Sequence, residues 1–204
     1  MSRFFLLATM ILLAAAQAAG LQGAAPKAAP VRVALKTSQG VILIELETRR
    51  APLTSANFLR YAENKKFDGT SFYRAARTKG NPRRGFIQGG VRHSIRRVYP
   101  PVAHEPTSKT GLRHVEGTIS MARNAPGSAM GDFFITLGPM PAMDARPGRA
   151  GDNQGFAAFG RVVGGMDVVR RILAAPTVAN AGRGAMKGQM LAAPVRIVAA
   201  RRVR

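Results

Sequence analysis

Apolar and polar side chains alternate along residues 31–36, the pattern of a strand with one buried face. Residues 37–40 supply a turn and residues 41–46 resume the apolar pattern, so the two runs predict a hairpin. Ala51-Pro52 opens a helix, since proline is tolerated in a first turn. Phe58, Tyr61 and Ala62 follow at helical spacing, as do Leu59 and Ala62, which predicts a face that covers a sheet. Asp68-Gly69 is a turn signal. Residues 70–74 and 86–88 read as strands on either side of a basic loop, residues 78–84. Residues 91–109 have little periodicity and read mostly as loop. Strands at 117–122 and 132–137 are joined by a Gly/Pro/Ala connection, and a long loop over 138–155 leads to a strand at 156–163. A second helix spans 165–174, with Met166, Val169 and Ile172 as one stripe and Pro176 past its end. Residues 180–188 are glycine-rich and loose, and 194–201 return as a final strand. Many short strands with two helices predict a mainly β fold closed into an antiparallel barrel, because closure removes edges that an open sheet must protect.

The first residues follow a different rule. Arg3 precedes an apolar run over 4–16 broken only by Thr9, and Ala16-Gln17-Ala18 has the small-x-small form of a cleavage site. Residues 1–18 therefore have the proportions of a secretory signal peptide, and the run is too short to span a bilayer comfortably. The expected location is periplasmic, without a transmembrane anchor after cleavage. Residues 19–30 form a flexible Ala/Pro linker, which leaves 31–204 as a single domain long enough for a substantial core.

Composition changes this picture in two ways. The formal net charge is +21, which bears on solubility and on acidic partners and not on fold. The basic residues are scattered and no aromatic-rich basic stripe accompanies them, so no specific nucleic-acid partner is expected. The absence of cysteine excludes disulfides, thiolate metal sites and a cysteine nucleophile. His93, His104 and His114 lack ligand spacing, and His104-Glu105 fails the HExxH pattern because position 108 is serine, so no metal is expected. The serines lack a Gly-x-Ser-x-Gly setting, and hydrolase chemistry has no support.

Candidate chemistry concentrates between Phe72-Tyr73-Arg74 and Gly85-Phe86-Ile87-Gln88-Gly89-Gly90. If these two runs are neighbouring strands, an arginine, an apolar plug and a side-chain amide come within reach of each other. Together with Asp68-Gly69-Thr70, Ser120-Met121-Ala122 and Phe133-Phe134-Ile135 in this order, they make the chain resemble the cyclophilin family of peptidyl-prolyl isomerases from about residue 31 to 200. The resemblance implies an eight-stranded antiparallel barrel with a helix over each open end. It also implies a monomer that acts without cofactor on X-Pro bonds of unfolded or extended polypeptides.

Such rotation must break amide resonance, with a barrier of about 18–20 kcal/mol, but it needs no nucleophile or metal. In the twisted state the proline nitrogen regains a lone pair. A donor aimed at it stabilises that state over either planar form, which is catalysis. By the resemblance Arg74 is this donor and Gln88 orients it, while Phe86, Phe134 and Met143 form the apolar pocket and Phe133 faces the core. Met121 reads as core, yet its flexible side chain keeps it in the substrate-binding group. Ala122 and Arg123, followed by Asn124, are similar to the bacterial form of the groove strand.

Several positions depart from the family pattern. The segment between Arg74 and Gly85 is longer and more basic than usual, so Phe86 has to serve for a pocket phenylalanine that Gly85 displaces. Asp132 stands where glutamine is usual. A carboxylate there cannot donate to a substrate carbonyl unless protonated; pairing with Arg74 or Arg123, to hold the arginine or to compete with substrate, is left open. Phe156 stands where many members have histidine, which implies altered substrate preference. The second reading left open is a barrel of this kind that holds proline-containing or unfolded segments with weak or no turnover.

Overall fold

The computed structural model describes residues 29–92 and 94–203. The signal-peptide reading, most of the linker and His93 lie outside the described residues. The elements are β1 (Val31–Thr37), β2 (Gly40–Leu46), α1 (Pro52–Glu63), β3 (Ser71–Thr78), β4 (Asn81–Gly90), α2 (Thr107–Thr110), β5 (Thr118–Met121), β6 (Asp132–Leu137), β7 (Ala158–Gly164), α3 (Met166–Ala174), β8 (Thr177–Val178) and β9 (Met190–Val203).

Strands β1, β2, β7, β5, β6, β4, β3 and β9 follow one another around the sheet, and β9 pairs back onto β1. This is the expected closed eight-stranded antiparallel barrel, with the two-residue β8 paired to β9 outside the ring. Inward residues of successive strands build one core with the buried faces of α1 and α3. Phe58 of α1 packs its ring against Phe67, Phe133 and Phe159 at 5.0–5.3 Å. From α3 the core takes Val168, Val169, Ile172 and Leu173, so its buried face is broader than the predicted stripe, and Met166 only borders it.

Helix α1 has no side-chain cap at its N-terminus from its own sequence. Glu105 supplies one from a distant loop: its carboxylate accepts from the backbone N–H groups of Leu53 (3.2 Å) and Thr54 (2.7 Å) and from the Thr54 hydroxyl (2.6 Å). A negative charge at a helix N-terminus satisfies donors that have no partner within the helix. That is the role of the acid in the His104-Glu105 pair.

Three stretches differ from the sequence reading. The one-turn α2 lies in the segment read as loop, closed by Gly111 in the left-handed region (φ 68°). The basic loop over 78–84 is instead largely a continuation of the β3–β4 hairpin, turned at Lys79-Gly80 and bulged next to Gly85. Gly85 has φ 140°, and a Cβ there would collide with the Ala76 carbonyl, so the bulge requires glycine. The extension carries Arg77 to the end of α3, where its guanidinium donates to the Leu173 (2.9 Å) and Ala175 carbonyls. Cations are favoured at that helix end. Lastly, β9 begins at Met190, four residues earlier than predicted, alongside β8 and Arg74.

Candidate functional site

The register of four strands sets the site. Arg74 of β3 lies opposite Gln88 of β4, Gln88 opposite Phe134 of β6, and Phe134 opposite Ser120 of β5. These residues form one row across the sheet on the face turned away from the core. The adjacent row, Phe72, Gly89, Phe133 and Met121, faces inward. Phe72 and Phe133 meet edge to face at 5.7 Å, and a Cβ on Gly89 would fall 2.8 Å from the Phe72 ring, so the absent side chain makes room for that contact.

Strand alternation alone would separate Tyr73 from Arg74. The β3–β4 register shifts between Phe72 and Arg74, which leaves Tyr73 in a bulge. Bulges re-aim side chains, and here both Tyr73 and Arg74 reach the same hollow. Gln88 then links them: its amide nitrogen donates to the Tyr73 hydroxyl oxygen at 2.8 Å, and its oxygen accepts from Arg74 Nη1 at 2.8 Å. A second glutamine, Gln189, accepts from Arg74 Nε at 2.9 Å and from Nη2 at 2.7 Å. The guanidinium carbon sits 4.9 Å from the centre of the Phe86 ring. Burial lowers the proton affinity of Arg74 from the usual arginine value, but a guanidinium remains charged.

The hollow encloses about 500 Å³. Phe134 forms part of its wall, against Phe86 (5.4 Å, tilted) and Phe156 (5.3 Å, edge to face). Met143, Ala122, Arg123 and Asp132 also line it. Arg74, Gln88, Phe86, Phe134, Met143, Phe156, Ala122, Arg123 and Asp132 are thus brought to one place. Met121 is not: it belongs to the inward row, is buried in the core, and corrects its assignment to the substrate-binding group.

The pairing left open for Asp132, with Arg74 or Arg123, is not found among the described residues. Asp132 accepts the Arg92 backbone N–H at 2.9 Å, and its charge acts on the Tyr73 phenol. Burial first, and the Asp132 charge second, push the Tyr73 phenol well above its ordinary pKa. A protonated Tyr73 offers its oxygen to the Gln88 amide nitrogen. That turns the Gln88 carbonyl toward Arg74, so Tyr73 supports the guanidinium through Gln88. Arg123 instead is clamped by Asp152 at 2.6 and 2.9 Å and lies 5.1 Å from the Phe156 ring centre.

Behind Phe134 lies a buried network. His114 stacks on the Phe134 ring at 5.8 Å; its Nδ1 is 2.7 Å from Asp144 and its Nε2 2.9 Å from the Ser120 hydroxyl. The order serine–histidine–carboxylate is that of a nucleophilic triad, but Ser120 is wholly buried and no substrate can reach it. Burial holds the His114 pKa below its usual value despite the Asp144 charge. The network braces the pocket ring from its far side.

Tyr73, Gln189, Arg92 and Arg183 were missed from the sequence. Tyr73 could have been found from its place beside Arg74. Gln189 and Arg183 come from the glycine-rich stretch before β9 and carry no local signal.

Comparison with known proteins agrees with this fold. Residues 32–201 match the family described as cyclophilin type peptidyl-prolyl cis-trans isomerase/CLD. A peptidyl-prolyl cis-trans isomerase of Acinetobacter baylyi is 34% identical over 162 residues, covering 78% of this chain and 80% of the relative. Peptidyl-prolyl cis-trans isomerase A of Dickeya dadantii is 36% identical over 145 residues, covering 69% and 70%. A crystal structure of a Cryptosporidium parvum cyclophilin type isomerase superposes with a TM-score of 0.64 at 19% identity, covering 86% of this chain and 99% of that one. A barrel closed in this order, with relatives of this kind, defines the class: the chain belongs to the cyclophilin-type peptidyl-prolyl cis-trans isomerases.

Proposed function

We propose that this protein accelerates rotation about X-Pro bonds in unfolded or extended segments of exported proteins. Arg74 donates to the proline nitrogen of the twisted state. The observation that carries the reading is the Arg74 guanidinium, fixed on three nitrogens by two glutamine carbonyls beside a hollow walled by Phe86, Phe134 and Phe156. Neutral acceptors orient the fork without cancelling its charge, which leaves it free to respond to a developing lone pair. The aromatic wall holds the proline ring while the acyl side turns. A relative of the same fold was crystallised in the presence of the dipeptide Ala-Pro, which supports a proline-containing substrate here.

The test is a proline-limited refolding reaction with and without protein. Arg74→Ala is expected to lose about 10²–10³ of the acceleration, the usual cost of one preorganised donor. An unchanged rate overturns the mechanism. The same double hold on Arg74 by Gln88 and Gln189 favours a second reading, a peptide-holding barrel with little turnover. Peptide binding without faster exchange between cis and trans NMR signals would select it. For the periplasmic location, a mature chain beginning near Ala19 is the expected result of N-terminal sequencing.

A further inference from the structure

All ten acidic side chains of the sequence lie among the described residues, against thirty-one lysines and arginines in the whole chain. Seven of them pair with arginines. Of the other three, Glu105 caps α1, Asp144 holds His114 and Asp132 takes the Arg92 N–H. The chain has no acidic side chain to spare.

Four arginines line the hollow: Arg74, Arg92, Arg123 and Arg183. Asp152 neutralises Arg123 through both oxygens. Among the described residues no carboxylate forms an ion pair with the other three. Arg74 is held by neutral amides, which leave its charge standing. Arg92 has φ 49°, a conformation uncommon outside glycine, and its N–H is pinned by Asp132 while its guanidinium lies 5.0 Å from the Tyr73 ring centre. Backbone strain of that kind persists where the surroundings fix it, often at binding sites. Arg183 is exposed on the loop that carries Gln189 and contributes Ala185 and Met186 to the wall.

We propose that the hollow selects X-Pro segments in which aspartate or glutamate flanks the proline, the substrate supplying the carboxylate that the chain lacks. This rests on the isomerase reading and names its substrate class. One exposed ion pair changes affinity by up to about fivefold, so Arg92 and Arg183 together are expected to give about three- to tenfold. The effect belongs to the site and not to the overall charge. At physiological salt the screening length is about 8 Å, while six extended residues span roughly 20 Å.

Four peptides of one length decide it, with cis–trans exchange measured by NMR at physiological salt. Three carry Glu, Gln or Lys before the proline; the fourth keeps Gln there and places Glu six residues away. The expected kcat/KM order is Glu over Gln over Lys, with Glu about three- to tenfold above Gln, mainly through KM, and the displaced-Glu peptide matching Gln. In Arg92→Gln/Arg183→Gln the Glu-to-Gln ratio falls toward one, and the single variants serve if the double fails to fold. Equal rates for Glu and Gln, a displaced Glu that works as well, or a ratio unmoved by the variants would each overturn the proposal. If none of the peptides is accelerated, the isomerase reading fails separately, and the order of their Kd values then decides the acid preference alone.

Discussion

Gln189 shows how far one side chain can alter the reading of a site. It provides two of the three hydrogen bonds that orient Arg74, from 115 positions away in the chain. Its removal leaves the guanidinium hinged on Gln88 alone. A shift of about 1 Å at a reacting group can cost up to about 10²-fold, so Gln189→Leu is expected to lower kcat by about 10- to 100-fold, with KM for a neutral Pro peptide little changed. Gln189→Glu keeps an acceptor but sets a negative charge against the guanidinium, and is expected to recover little of that loss. Equal kcat for wild type and Gln189→Leu in the NMR exchange assay would remove Gln189 from the positioning set. Arg74, Gln88 and Phe86 were legible because they lie in one short run. Gln189 was not, since an isolated glutamine in a glycine-rich loop has no pattern to betray it.

At the scale of elements, β6 divides structure from site within two adjacent residues. Phe133 packs inward against Phe58, Phe67 and Phe72, and Phe134 lines the hollow with Phe86 and Phe156. Phe133→Ala is expected to cost about 3–5 kcal/mol, seen as a lower urea midpoint, with the activity of the folded fraction retained. Phe134→Ala is expected to raise KM for proline peptides. The reverse assignment of effects would show that the faces are exchanged. The bounds of β6 were read correctly because an apolar run between turn signals leaves little freedom. The β3–β4 hairpin was misjudged because Pro82 and three basic residues over 78–84 look like loop. There the strand is held by cross-strand pairing and by Arg77 on the end of α3, neither of which shows in local hydropathy.

Across the whole molecule, His114 joins β5, the loop carrying Met143 and Asp144, and the Phe134 wall. Its buried imidazole has a depressed pKa, whereas in the unfolded chain it titrates near the ordinary value of about 6.5. Below that value the unfolded chain binds a proton that the folded chain resists. Stability is therefore complete above about pH 6.5 and falls as pH drops toward the lower folded-state pKa. Urea midpoints measured from pH 8 to 5 are expected to decline, and the decline should flatten in His114→Gln. A parallel decline in both proteins would assign the effect to other groups.

The sequence alone determined the strand and helix periods, the closure they require and the short motifs that carry Arg74, Gln88 and Phe134. Those features are local, since burial on one face writes itself into every second or every third to fourth residue. Only the tertiary structure decided that Tyr73 bulges into the hollow, that it orients Gln88, and that Arg92, Arg183 and Gln189 surround Arg74. These depend on register between strands far apart in the chain, and on which few carboxylates are already occupied by others.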